Sequence, residues 1–188
     1  MDRVVTTLVS AFHDDPVWSR AFPDPRSRPR QYEVIWGLYV RSALSHDWVW
    51  MTEGAEAAAV WFPPEADELS PGDEQRLPSL LHDLVGHRAP AVLALLERFE
   101  DNHPRTEPHF YLDLLGTHPA YRGHGLGMAL LRRTLNAVDA EGMPAYLEST
   151  NPANNARYAS VGFEAVGEFA GFPGGGPITT MWRPATTG

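Results

Sequence analysis

One stretch limits this chain more than any other: Phe110 to Leu131, reading FYLDLLGTHPAYRGHGLGMALL. An apolar strand gives way to a short turn closed by Pro119, and a loop carrying Gly123, Gly125 and Gly127 runs into a helix. Such a loop presents several backbone N–H groups in one direction at a helix start, where no helical carbonyl meets them. Together with the positive end of the helix dipole, they make a site for a phosphate or pyrophosphate. Glycine keeps side chains out of the way there and permits positive φ.

Two phosphate loops are excluded. The dinucleotide fingerprint needs glycines spaced G-x-G-x-x-G, but the third would fall on Met128. The P-loop pattern G-x-x-x-x-G-K-[ST] occurs nowhere. What remains is Arg122-x-x-Gly125-x-Gly127, which resembles the coenzyme A signature of the GCN5-related N-acetyltransferase (GNAT) family. A second segment strengthens the likeness. Ala145–Thr150 reads as a short strand, and Asn151–Phe163 resembles the family's strand-helix segment ending in Tyr, three residues, Gly-Phe. The likeness runs from Phe110 to Phe169, with a coenzyme-binding core expected at about residues 108–170. The opening Ala11-Phe12-His13-Asp14-Asp15-Pro16 and the strand end Leu147-Glu148-Ser149 are similar to the antibiotic-type branch that includes puromycin N-acetyltransferase.

The 188 residues are read as one domain, 1–188, long enough for a substantial core. A formal charge of −9 argues against nucleic acid, which calls for clustered Lys and Arg, and is compatible with a cationic small molecule. With no cysteine, disulfides and a Cys-based acyl-enzyme are excluded. No signal peptide or membrane-length apolar run stands out, so no membrane partner is expected and the cytoplasm is the default location. The eight histidines offer no pair at metal-ligand spacing beside a third ligand, and no metal is expected. His103 and His109 are read as structural or rim residues.

Periodicity places helices at Arg3–Phe12, Gln31–Ser45, Leu77–Leu84, Ala89–Phe99 and about His124–Glu141. The last of these should bury Leu126, Leu130, Leu131, Leu135 and Val138. Phe22–Arg30 and the acidic Glu65–Asp73 read as loops. Trp48–Met51 with Ala57–Phe62, and Phe163–Phe169 with Ile178–Arg183, read as strand pairs. The pattern is a mixed α/β domain around one sheet. The resemblance implies a mostly antiparallel sheet with a splayed strand pair, flanked by helices. Only Met1 and Asp2 precede the first helix, where the family's usual first strand would stand; either that strand is absent or the chain begins inside the family's normal domain.

The resemblance also implies a chemistry: acetyl transfer from acetyl-CoA, used as a co-substrate, to the amine of a small molecule. The backbone of Leu115, Gly116 and Thr117 would lie along the pantetheine arm, and the small Gly116 would help that close approach. Arg122, with the N–H groups of Gly123, His124, Gly125, Leu126 and Gly127, would cradle the pyrophosphate. Asn154 would contact the arm or cap a helix. Tyr158 matches the family's general acid, and a phenol with pKa about 10 suits protonation of a thiolate whose pKa is about 8–9; a core tyrosine is its plain alternative. An alkyl amine with pKa about 10 must lose a proton first. Glu148 is the first choice of base. Asp113, inside an apolar run where burial raises its pKa, is the second; water alone is the third. Trp18, Phe22, Tyr32 and Trp36 belong to either pocket wall or core. A protein or peptide amino group is the rival acceptor, a non-catalytic acyl-CoA-binding module is the rival class, and a homodimer is compatible with the family.

Overall fold

The computed structural model describes residues 1–186. Seven helices, α1 (Asp2–Phe12), α2 (Trp18–Ala21), α3 (Arg28–Leu44), α4 (Pro71–Val85), α5 (Ala89–Asn102), α6 (Leu126–Ala140) and α7 (Asn155–Ala159), accompany six strands. The strands are β1 (Val49–Met51), β2 (Ala57–Phe62), β3 (Phe110–Thr117), β4 (Ala145–Ser149), β5 (Glu164–Ala170) and β6 (Pro177–Arg183). They form one sheet in the order β1-β2-β3-β4-β6-β5, in which only β3 and β4 run parallel. The fold is therefore the mixed, mostly antiparallel architecture that the sequence implies. Among the described residues no strand precedes α1.

Strand alternation divides the core into two layers, and a bulge at Asp113, opposite the Val60–Trp61 step of β2, brings Leu114 to the same side as Tyr111. Tyr111, Leu114 and Tyr146 face the layer formed with α1, α3, α4 and α5, whereas Phe110, Leu112, Ala145 and Leu147 face Leu130, Leu131, Leu135 and Val138 of α6. Leu126, at the start of α6, is only half-buried.

Two expected loops end earlier than the sequence suggests. Helix α4 starts at Pro71 because Ser70 caps it, accepting the Asp73 N–H at 3.1 Å, and because a proline suits the first turn. Helix α3 starts at Arg28, again with a proline in its first turn. The Arg28 guanidinium is buried and donates to the carbonyls of His13, Ser19, Phe22 and Pro23, which holds the Pro- and Arg-rich segment in place.

The feature that positions the site is where β3 and β4 stop pairing. Phe110 lies opposite Ala145, Tyr111 opposite Tyr146 and Leu112 opposite Leu147, and there the pairing ends. β3 continues to Thr117 against β2, and β4 continues to Ser149 against β6. Each strand keeps its outer neighbour while the two part from each other, and the sheet opens into a V.

Candidate active site

A groove of about 590 Å³ lies on one side of the V, lined by Leu115, Gly116, Thr117 and the loop into α6. Gly125 takes φ +74 at the N-cap of α6, and Gly123 takes φ +86. Both conformations are costly for residues with a Cβ. A Cβ at either position would meet only open space, so the backbone itself faces the groove. The first helical bond runs from the Ala129 N–H to the Gly125 carbonyl at 2.9 Å. The N–H groups of Leu126, Gly127 and Met128 thus have no acceptor within the helix. A Cβ at Gly127 would run into the Thr117 hydroxyl, so the first turn of α6 sits tight against the end of β3. Narrow walls and unpaired donors suit a diphosphate-bearing ligand.

Three residues expected at the coenzyme site make contacts of their own within the fold. The Arg122 guanidinium donates to the carbonyl of Ala11 at 2.8 Å, tying the loop to the end of α1. The His124 ring turns back toward the carbonyls of Tyr121 and Arg122, and His124 is not among the groove's lining residues. The close approach that Gly116 allows is to α1: a Cβ there would lie 2.6 Å from the Ala11 Cβ and 3.2 Å from Leu8 Cδ2.

A second cavity, about 670 Å³, fills the α1, α3 and α5 side of the V. The two cavities share Phe12, Asp15, Leu115, Asn151, Asn154 and Tyr158 as a common wall. Tyr158 reaches this wall from α7. Its hydroxyl has no hydrogen-bond partner among the described residues, and burial, with the Asp15 charge, pushes its pKa up to about 12. Asn154 accepts from Arg157 at 2.7 Å while facing both cavities. Asp15 fixes the wall. Its Oδ1 accepts the N–H groups of Val17 and Trp18, and its Oδ2 accepts the Thr150 hydroxyl at 2.7 Å, linking α2 to the end of β4.

The larger cavity is acidic. Asp113 and Glu148 are the next residues after the last paired positions, on the face that Tyr111 and Tyr146 share. The Glu148 side chain is 1% exposed, and neither of its oxygens has a hydrogen-bond partner; Asp113 Oδ2 is equally orphaned. Burial raises the Glu148 pKa to about 8. The nearby Tyr111 and Tyr146 hydroxyls hold the rise back, although Tyr146 donates to the Asn102 carbonyl at 3.3 Å and neither meets hydrogen-bond geometry with Glu148. Burial and the charges of Glu68 and Glu148 raise Asp113 well above the usual carboxylate range. Glu68, in the loop between β2 and α4, rises to about 7, through burial first and then the nearby Glu100.

His103 and His109 both line this cavity. His109 Nδ1 lies 2.7 Å from the carbonyl of Glu107, so that nitrogen carries a proton. The His109 and His103 Nε2 atoms are 3.0 Å apart. His103 Nδ1 lies 3.9 Å from Glu148 Oε1. Burial and its cationic neighbours push His103 down to about 4, so at neutral pH this contact is not an ion pair. Of the four aromatics in question, Trp18 and Trp36 line the cavity, while Phe22 and Tyr32 are fully buried core.

The structure therefore brings Tyr158, Asn154 and Leu115 to the meeting point, and Glu148 and Asp113 to the chamber beyond it. Sequence reasoning missed Asp15 and Glu68. Asp15 had a signal, a helix-capping aspartate directly before Pro16. Glu68 had none that set it apart from its acidic neighbours.

Two cavities with a shared wall suit a protein that brings two molecules together at one point. The chain belongs to the acetyltransferase (GNAT) family, whose model matches residues 16–163. The N-alpha-acetyltransferase RimI of Mycobacterium tuberculosis is 46% identical over 66 residues, which are 34% of this chain; the match spans 40% of that relative's length. Two solved structures share the fold. An acetyltransferase from Corynebacterium glutamicum related to histone acetyltransferase HPA2 superposes with TM-score 0.70 at 24% identity, covering 100% of this chain and 92% of that one. The polyamine N-acetyltransferase of Drosophila melanogaster superposes with TM-score 0.65 at 15% identity, covering 97% and 94%.

Proposed function

We propose that this protein transfers an acetyl group from acetyl-CoA directly to the amine of a small cationic molecule. The observation that carries the reading is the position of Glu148: a buried, unpartnered carboxyl at the point where the strands part, inside an acidic chamber that shares a wall with the glycine-loop groove. The pantetheine arm follows Leu115–Thr117, whose edge toward β4 is left unpaired where the strands part, and the diphosphate rests on the N–H groups of Gly123 to Met128. Acetyl-CoA supplies an activated acetyl group.

The chain's own residues handle two protons. Glu148 takes one from the incoming ammonium, since a carboxyl with a pKa near 8 is a stronger base than an exposed glutamate. Tyr158, held protonated by its pKa of about 12, gives one to the departing thiolate. The ammonium loses two protons in all, one before attack and one as the tetrahedral adduct collapses; one equivalent goes to sulfur, the other is released to solvent, and no acyl-enzyme is needed. Asp113 stays beside Glu148 as a second buried carboxyl whose charged form is disfavoured. The likeness to an N-alpha-acetyltransferase favours a second reading, a peptide amino terminus as acceptor. Thiol release with acetyl-CoA, a chelator and a panel of amines and peptides tests both. Release that depends on a small amine supports the first reading, release only with peptides moves the function to the second, and none with either overturns it.

A further inference from the structure

The chamber gathers more carboxyl groups than a single ammonium needs. Its lining carries Glu68, Asp113 and Glu148, and its one arginine, Arg105, is already paired with Glu100. The chain has no lysine. Among the described residues no arginine forms an ion pair with any of the three carboxyls, and His103 lies near Glu148 without the charge to serve as one.

This is more than a cluster of surface acids. Three buried oxygens, both of Glu148 and Oδ2 of Asp113, have no hydrogen-bond partner. Leaving such groups unpaired in a folded chain costs stability, and the cost is recovered when a ligand supplies donors. The arrangement is two-sided. Asp113 and Glu148 face each other from strands that have just parted, and Glu68 comes from the covering loop between β2 and α4. Trp18, Trp36 and Phe99 supply an apolar wall in the same chamber, with the Trp18 and Phe99 rings stacked at 5.8 Å.

We propose that the chamber recognises a dication, an amine whose carbon chain carries a second positive group: the reacting nitrogen lies at Glu148, the second charge between Asp113 and Glu68, and the chain along the aromatic wall. This rests on the reading of the chamber as the acceptor site.

Binding is measured by calorimetry on the full protein with CoA present. Alkane-α,ω-diamines are compared with alkylamines of the same chain length. The CoA present carries no acetyl group, so the result does not depend on turnover. At the best chain length the dication should bind at least tenfold more tightly, and Glu68→Gln should reduce that preference severalfold. Equal affinities for dication and monocation would overturn the proposal. If Glu68→Gln does not fold, the wild-type comparison decides alone. A parallel series compares acetylation of α,ω-diamines with matching monoamines. Equal kcat/KM for the two would again count against the dication while leaving amine acetylation standing. Tight dication binding without acetylation of any amine would leave the subsite standing and remove the transferase reading.

Discussion

The Nε2 atoms of His103 and His109 stand 3.0 Å apart, and the carbonyl of Glu107 decides which of them carries the proton. A carbonyl only accepts, so His109 is protonated at Nδ1 and, when neutral, offers a lone pair at Nε2. His103 must then donate from Nε2, which leaves its Nδ1 lone pair toward Glu148. Nitrogen-15 NMR at pH 7 should show His103 neutral with the proton on Nε2, and titration should leave it neutral down to about pH 4. A His103 that titrates near the ordinary value of about 6.5 would break this chain of assignments.

The raised carboxyls also predict how stability varies with pH. Glu148 rises from 4.5 to about 8 and Glu68 from 4.5 to about 7, so between these values the folded chain holds protons that the unfolded chain releases. Stability should therefore fall as pH rises through that window and level off above it. Glu148→Gln removes the larger contribution. By urea denaturation the variant should match wild type near pH 5 and exceed it at pH 9 by a few kcal/mol, at about 1.4 kcal/mol per tenfold change in proton affinity. A variant less stable than wild type at pH 9 would mean that Glu148 has partners which stabilise its charge.

Tyr158→Phe should lower kcat by about 10²–10⁴-fold while acetyl-CoA affinity changes little, because the hydroxyl acts only as the thiolate leaves. Unchanged turnover, with chemistry limiting the rate, would return Tyr158 to the role of a wall residue.

Two glycines separate packing from binding. Gly116→Ala pushes a methyl into Ala11 on α1 and should cost roughly 1–3 kcal/mol in urea denaturation. Gly125→Val forces a branched residue into positive φ facing the groove, and should weaken acetyl-CoA binding at least tenfold by calorimetry. If Gly125→Val bound acetyl-CoA normally, the loop would not be the coenzyme site.

Much of this was legible in the sequence, and the reason is local encoding. The strand, glycine loop and helix from Phe110 to Leu131 are specified by near neighbours, and so is the Tyr158 segment. The element types followed from period and turn chemistry. The helix starts at Arg28 and Pro71 were missed because capping and the carbonyl cradle around Arg28 outweighed polar composition. The small residue at Gly116 was tied to a ligand, whereas its Cβ position is claimed by α1, about a hundred residues away in sequence. The chamber was hardest to read. Its Glu68, Glu148 and His103 come from three separated segments, and only the parting of β3 from β4 brings them together. Asp15 joined to Thr150 is a contact of the same kind.

The most direct test of the account is kcat/KM against pH for wild type and Glu148→Gln with an amine that the protein acetylates. In wild type the rate should climb with pH to an apparent pKa near 8, where Glu148 loses its proton. Glu148→Gln should be slower by about 10²–10⁴-fold near pH 7 and recover in part above pH 9, where more of the amine is already neutral. A Glu148→Gln profile parallel to wild type and of similar height would contradict the assignment and move proton removal to Asp113 or to water.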